Sequence, residues 1–222
     1  MRIASFVVAL GVVALSASRM AAQTCTGAAS FSAGPIRLGA GLSSGDGFKS
    51  YGLNTAVGSR SGLFGYGDVG RAEFSDIDSK GTLYDIGAGY AFDLNSTRTL
   101  QFCPEIEVSH QSGPNFDYAG STLTTSADAV GFGGSLGEVV PVTPTLDVVP
   151  FVGAAYAISQ AWATYDGQSD TDSERYGEID VGAGFVIHKT LTLQSSIAIP
   201  VGIEGAKSSF QLAFGFNFGS SH

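Results

Sequence analysis

The C-terminal stretch "FQLAFGFNFGSSH", residues 210–222, shows the pattern from which the fold of the whole chain follows. From Phe210 to Phe218 every second residue is large and apolar, and the residues between them are small or polar. Successive side chains of a β-strand point to opposite faces, so this spacing predicts a strand with one aromatic face and one small, polar face.

The same period-two alternation recurs along the chain, and no segment shows a sustained helical period. We therefore predict ten strands, or eight if the first hairpin packs elsewhere. Besides the terminal strand, the clearest alternating runs are 84–93, 100–108, 146–159, 178–187 and 191–199, and weaker ones are 36–44, 50–58, 63–74 and 126–140.

The connections between these strands alternate between tight turns and longer polar loops. This parity puts all the loops at one end of an up-and-down structure, and both chain termini at the other, with the turns. We name these the loop end and the turn end. The predicted turns are 59–62, 94–98, 141–145 and 188–190; the predicted loops are 75–81, 110–122 and 164–175, with 45–49 and 202–207 assigned by position.

Composition and the N-terminus indicate an exported protein. Arg2 followed by an apolar run and small residues predicts a signal peptide over residues 1–23, with its cleavage site left open. A tail, 24–35, and a barrel, 36–219, follow. No stretch has 18 uninterrupted apolar residues, so no spanning helix is predicted. Removing the signal leaves 9 basic and 20 acidic residues, which argues against a nucleic-acid partner.

These features predict an all-β fold, a single antiparallel up-and-down transmembrane β-barrel. The polar face is rich in glycine and alanine, as a crowded lumen requires, so the apolar face should point outward. Aromatic residues also fall into two rims, as they do at membrane interfaces. The predicted rims are Phe64, Phe92, Phe102, Phe185 and Phe218 at the turn end, and Tyr51, Phe74, Tyr84, Trp162 and Phe210 at the loop end.

The terminal strand resembles the C-terminal signal of Gram-negative outer-membrane β-barrel proteins, carried here by Gln211, Ala213, Phe214, Phe216 and Phe218. The resemblance to small porin-like barrels implies a place in the outer membrane. It also implies contact with outer-membrane lipid and lipopolysaccharide, and recognition by the barrel insertion machinery. Two features depart from the family pattern, since Ala213 stands where glycine is usual and Phe218 is not the last residue.

A cluster of charged residues is predicted to face the lumen. It either lines an acidic passage or belongs to a filled interior in which the acids pair with Arg37, Arg71 and each other; narrow barrels favour the filled interior. The predicted cluster is Arg37, Asp85, Glu105, Glu107, Asp147, Glu178 and Asp180.

The two cysteines, Cys25 and Cys103, fall at the turn end in this topology. An even number of cysteines in an exported chain favours a disulfide. The predicted bond would hold the N-terminal tail inside the mouth of the barrel.

For function, we expect a structural role or surface interaction through 110–122 and 164–175, and no enzymatic activity. The alternatives are a narrow channel for small, cationic solutes, an outer-membrane hydrolase using His110 beside Ser109 or Ser112, and a soluble exported barrel with an apolar ligand. No catalytic set, cofactor or metal is predicted, and the oligomeric state is left open. The acids Asp170, Asp172 and Glu174 have a spacing that suits Ca²⁺, but a solvated loop is the favoured interpretation.

Overall fold

The computed structural model describes most of the mature chain. The described residues are 24–29, 31, 34–45, 47–74, 79–118, 121–203 and 206–219, with the backbone alone at 116, 118 and 121. The predicted signal peptide and the last three residues, 220–222, lie outside these ranges.

Ten antiparallel strands form one closed sheet, as predicted. β1 pairs with β2 on one side and with β10 on the other, where Ile36 lies opposite Phe218, so the barrel has no open edge there. The strands are β1 Ile36–Gly45, β2 Phe48–Gly58, β3 Leu63–Phe74, β4 Ser79–Tyr90, β5 Leu100–Ser112, β6 Ser121–Glu138, β7 Leu146–Tyr165, β8 Gln168–Ile187, β9 Leu191–Val201 and β10 Ser209–Phe218.

Short elements complete the two ends of the barrel. Phe92–Asp93 pairs with β5, Val140–Thr143 pairs with β7, and Phe116–Tyr118 pairs with the start of β6. A single 3₁₀ turn, Thr24–Thr26, lies in the N-terminal tail. Within the described ranges, no helix has the length and apolar character needed to cross a bilayer.

The apolar face of the sheet points outward. Leu53 and Ile86 are 65% and 67% exposed, whereas their neighbours Asn54 and Asp85 are 5% and 8% exposed. A soluble barrel would show the opposite arrangement, with its apolar face buried. The outer surface is therefore suited to lipid, and the interior is polar.

Two of the predicted rim aromatics are wrongly placed. Phe64 and Phe74 are 2% and 8% exposed and face the interior, while Tyr51, Tyr84, Phe92, Phe102, Phe185, Phe210 and Phe218 lie on the outer surface. β3 carries large residues on both faces, so its alternation did not specify which face is inside. The interior accepts the Phe64 ring because Gly89 on β4 has no side chain at that point.

At the loop end, the predicted loop 202–207 does lie between two strands, but the predicted loop 164–175 is part of a hairpin. β7 and β8 have 20 residues each, twice the length of β1, and they continue as a hairpin through the predicted loop 164–175. Asp166 and Gly167 both have positive φ, as a two-residue type I′ hairpin turn requires. Acidic residues are compatible with strands here because residues at the tip of the hairpin, such as Asp170, are exposed. The predicted loop 45–49 is likewise a two-residue connection.

The region 110–122 also differs from the predicted loop. It consists of the end of β5, a short connection containing the strand Phe116–Tyr118, and the start of β6. Gly113 N–H donates to Thr125 O, and Thr125 Oγ1 donates to Pro114 O, so this connection is bonded to the inner side of the sheet. At 110–118 and at 164–175 the loop end is consequently an extension of the sheet.

Candidate functional site

The barrel interior is polar and filled by side chains. Buried polar residues occur at every level, from Asn217 near the turn end to Gln111 near the loop end. Lining residues of a water-filled lumen would be accessible to water, and these are not. These residues are therefore packed against other protein groups. The other buried polar residues of the interior include Ser43, Ser50, Asn54, Gln101, Ser109, Ser135, Ser159, Thr192, Gln194, Ser196 and Gln211.

The predicted lumen-facing residues lie at three places. Asp85 and Glu107 are buried on the wall formed by β4 and β5, with Glu105 beside them and half-buried; Glu178 and Asp180 are buried on β8. The remaining two lie near the turn end. The structure therefore places five of the seven predicted residues on the inner side of β4, β5 and β8, and separates Arg37 and Asp147 from them.

Two members of this interior were missed in the sequence. Asp68 lies on β3 directly opposite Asp85 on β4, and the Tyr66 hydroxyl donates to Glu107 Oε2 at 2.9 Å. Both sit on β3, the strand whose alternation was ambiguous. Once Asp68 is known to face the interior, the antiparallel pairing of β3 and β4 predicts that it lies opposite Asp85.

The pairing of the acids with Arg71 is wrong. Arg71 lies on the outward face of β3 and is exposed, so its guanidinium cannot reach the interior. Arg37 is fully buried, but it lies at the turn end, and its described contacts are with other groups.

The described residues of the segment 24–34, which are 24–29, 31 and 34, fold back into the turn end of the barrel, and we call them the plug. Its described residues are all buried, and Cys25, Ala29 and Phe31 are no more than 3% exposed. Ala29 N–H donates to Thr192 Oγ1 on β9 at 3.2 Å. The tail predicted at 24–35 therefore blocks the mouth of the barrel.

Arg37 connects the plug to the closing strand of the barrel. Its Nε donates to Asn217 Oδ1 at 2.6 Å, and its terminal nitrogen donates to the Ala29 carbonyl oxygen. The guanidinium also lies 5.9 Å from the centre of the Phe31 ring, which allows a cation–π contact. One buried side chain thus binds β1, β10 and the plug together.

Three wall glycines make room for the plug. A Cβ at Gly58 would overlap the Phe31 ring, one at Gly137 would overlap Thr24, and one at Gly184 would overlap the carbonyl of Gly27. The glycine content of the polar face therefore has a local cause at these positions, because the plug passes where side chains would otherwise stand.

A disulfide joins Cys25 in the plug to Cys103 on β5, as predicted. The two Cα atoms are 6.0 Å apart and both residues are fully buried, in a cluster with Phe31, Phe64 and Tyr66. The bond closes a sequence separation of 78 residues.

A recess of about 800 Å³ opens at the turn end, next to the plug. Its lining combines Ala28 and Ala29 of the plug with charged residues of both signs from the turns. Asp147, predicted in the lumen, lies here and is half-buried. The other charged lining residues are Arg60, Asp93, Arg98 and Lys189.

The extended hairpin has an edge that no described strand pairs with. The ladder between β8 and β9 begins at Gly177 and Val201, and within the described residues no strand lies beside 168–175 on the β9 side. This edge carries Asp170, Asp172 and Glu174. Asp170 and Asp172 accept from the backbone N–H of the following residue at 3.0 and 2.8 Å. Among the described residues, no group of three potential metal ligands is close enough to hold an ion.

His110 lies on the outer surface, not in the lumen. Its Nδ1 is 2.5 Å from Oδ1 of Asp128 on β6, and both side chains are about half exposed. Ser109, predicted as a possible partner, is 1% exposed and faces the opposite side of the sheet. Ser112 shares the outward face of β5 with His110. Asp128 was missed because its contact with His110 comes from strand pairing.

The terminal strand has the arrangement that its alternation predicts. Gln211 and Ala213 are buried inside the barrel, whereas Phe214, Phe216 and Phe218 lie on the outer surface. A sequence model described as "Outer membrane protein beta-barrel domain" matches residues 7–218, nearly the whole chain.

The chain belongs to this outer-membrane β-barrel family. The family and the closed barrel place the protein in the outer membrane. In barrels of this class the short turns are periplasmic and the longer connections are external. Comparison with curated protein sequences finds no match.

Solved structures of other outer-membrane barrels resemble this one in outline. The β domain of the Bordetella autotransporter BrkA has a TM-score of 0.49 at 15% identity, over 82% of this chain and 98% of that one. The Yersinia pestis attachment invasion locus protein Ail has a TM-score of 0.38 at 14% identity, over 82% and 96%. The KdgM porin has a TM-score of 0.40 at 11% identity, over 82% and 99%.

Proposed function

We propose that this outer-membrane barrel is a surface-interaction protein that acts through the external hairpin of β7 and β8, while its filled barrel serves as an anchor. A signal peptide over residues 1–23 would export the chain. Lipid, lipopolysaccharide and the insertion machinery would be its partners in the membrane. This role requires no catalytic chemistry.

The observation that carries the proposal is the edge of 168–175, beside which no described strand lies on the β9 side. At about 3.3 Å per residue, the 20-residue strands of the hairpin are about 30 Å longer than β1 or β10. On the β9 side the hairpin therefore stands above the rim, whereas on its other side β6 pairs with β7 as far as Thr124 and Thr164. An exposed edge offers a row of backbone N–H and C=O groups to which an extended peptide can add a strand.

Charge defines the kind of partner that fits this edge. The segment 168–175 carries three acids and one arginine, and the mature chain has an excess of acids. Complementary charge steers association and disfavours like-charged partners. We therefore expect the partner to be an extended protein segment rich in lysine or arginine.

A shortened hairpin tests this proposal. Removing residues 160–165 and 168–173 joins Ser159 to Asp166 and Gly167 to Glu174. Ser159 and Glu174 already face each other in the ladder, so the Asp-Gly turn is kept and the pairing stays in register. The probe is a labelled eight-residue peptide of alternating lysine and threonine, whose binding to the purified protein in detergent micelles is measured by fluorescence anisotropy.

The expected result is binding to the wild type that weakens with salt, and at least about tenfold weaker binding to the shortened variant. A peptide with N-methylated pairing positions should bind equally weakly, because it cannot donate to the edge. The matched control keeps the strand and removes its acidic charges by Asp170→Asn, Asp172→Asn and Glu174→Gln. It should lose only the salt-dependent part of the peptide binding. Equal binding to the wild type and the shortened variant would refute the proposal.

A narrow cation passage is the second candidate function. It is favoured by the acids on the inner side of β3–β5 and β8, including Asp68, Glu107 and Asp180. The test is conductance of the purified protein in planar bilayers. The surface proposal expects no stepwise conductance, whereas steps with cation selectivity that fall on Glu107→Gln and Asp180→Asn would favour the passage.

A further inference from the structure

The outer surface of β5 and β6 carries a group of polar residues that the surface role does not use. His110 and Asp128 form a pair at 2.5 Å. Ser112 lies two residues from His110 on the same face, and Ser126 lies directly opposite Ser112. We propose that Ser112, His110 and Asp128 form a hydrolase site for acyl esters of membrane amphiphiles.

The position of this group fits a substrate held in the outer leaflet. His110 is paired with Tyr84, a member of the external rim of aromatics, and the two rings are 6.3 Å apart. A surface groove of about 680 Å³ runs beside them. On the membrane side of His110 the groove is lined by apolar residues, which are Ile86, Val108, Val130 and Ile158.

An acyl chain lying on these apolar residues would place its ester near His110, where the surface changes from apolar to polar. Asp128 and Gln160 line the polar end of the groove. The substrate class that matches is therefore an acyl ester with its chain in the membrane and its head group outside. A phospholipid and an acylated lipopolysaccharide share this chemistry.

The roles of the three residues follow from the contact between His110 and Asp128 and from the position of Ser112 on the same strand face as His110. Asp128 accepts from Nδ1 of His110, which leaves Nε2 with its lone pair as the proton acceptor. Residues i and i+2 of a strand lie about 6.6 Å apart on one face, so the long imidazole and the Ser112 hydroxyl are within reach of each other. Asp128 is thus a positioning residue, His110 the base, and Ser112 the nucleophile.

The reaction is hydrolysis in two steps. Ser112 Oγ forms a bond to the ester carbonyl carbon while His110 Nε2 takes the hydroxyl proton. The carbon–oxygen bond to the alcohol then breaks, and His110 returns the proton to the leaving oxygen. Water, activated by the same nitrogen, attacks the acyl-serine and releases a fatty acid and the free hydroxyl.

Covalent labelling tests the site. The purified protein in detergent micelles is treated with an alkyl fluorophosphonate, and the modified peptide is identified by mass spectrometry. We expect the label on Ser112 and none on Ser112→Ala. Ser126→Ala is the matched control, because Ser126 has the same chemistry on the facing strand, and it should label like the wild type.

Variants of His110 and Asp128 test their roles through the rate of labelling. His110→Ala should slow labelling about 10²-fold or more. Asp128→Asn should slow it as well, while Asp128→Glu should retain most of it, a rescue that a merely structural role would not produce. Heat-modifiable migration of each variant verifies that the barrel is folded.

Turnover distinguishes the source of the ester. Release of fatty acid is measured from phosphatidylethanolamine vesicles and, separately, from lipopolysaccharide in mixed micelles. Release from either, lost in Ser112→Ala, supports the site and identifies the substrate. Absence of labelling and release, labelling that survives Ser112→Ala, or equal loss in Ser126→Ala would overturn the proposal.

Discussion

The carbonyl oxygen of Gly27 in the plug occupies the place where a side chain on Gly184 of β8 would begin. The wall and the plug are therefore shaped to each other at the level of the backbone. A backbone carbonyl cannot rotate away as a flexible side chain can, so this contact makes a direct prediction.

Gly184→Ala should lower the free energy of unfolding by about 1–3 kcal/mol, because the plug must shift to admit the methyl group. Gly153→Ala is the matched control on the neighbouring strand β7, since the nearest atom to its Cβ would be 3.6 Å away. Urea unfolding in detergent micelles, followed by circular dichroism, measures both. Equal stability of the two variants would show that the plug does not rest on Gly184.

Arg37→Met should also destabilise the barrel, by about 3 kcal/mol, because it removes two charge-assisted hydrogen bonds that connect the plug and β10. Arg37→Lys keeps the charge but not the forked geometry, so we expect an intermediate loss. The same urea titration applies. If Arg37→Met lowered the free energy of unfolding no more than Arg37→Lys does, the assigned hydrogen bonds would be contradicted.

Replacing both cysteines, Cys25→Ser with Cys103→Ser, should lower the free energy of unfolding by about 2–5 kcal/mol. The loss follows from the long loop that the bond closes in the unfolded chain. Wild type treated with reductant before unfolding should resemble the variant, and reductant should leave the variant unchanged. A reductant effect of similar size on the variant would point to another cause.

Deleting residues 219–222 should leave assembly of the barrel unchanged or improve it, because Phe218 already closes the ladder with Ile36. Phe218→Ala is the contrasting change, and it should reduce assembly. The measurement is the fraction of folded, heat-modifiable protein in outer-membrane preparations. Loss of assembly on deletion would mean that the tail has a role of its own.

The alternation of apolar and polar residues was enough to predict the ten strands, the outward apolar face and the common end of both termini. The alternation did not predict which face is inside where a strand carries large residues on both faces. Phe64, Phe74 and Phe151 face the interior, and the ring of Phe151 packs against Gly27 and Gly182. Whether an aromatic fits inside depends on a glycine across the sheet, which local alternation does not reveal.

The candidate sites were predicted less completely for a related reason. The disulfide followed from topology, because both cysteines are carried to one end of the barrel. The His110–Asp128 pair and the Asp68–Asp85 pair depend on register between neighbouring strands. The hairpin of β7 and β8 was mistaken for a loop because its acids suggested solvent, although Asp166-Gly167 is a strong turn signal.

The bond between Cys25 and Cys103 encloses β1 to β4 in a covalent ring. A single cut in the chain anywhere within that ring, for example at 75–78, leaves both fragments joined until the disulfide is reduced. A cut beyond Cys103, such as at Asp166, separates the polypeptide at once under denaturing conditions. The protein therefore tolerates backbone cleavage unequally. After a cut between Cys25 and Cys103 the disulfide holds the two fragments together, whereas after a cut in the hairpin of β7 and β8 it does not.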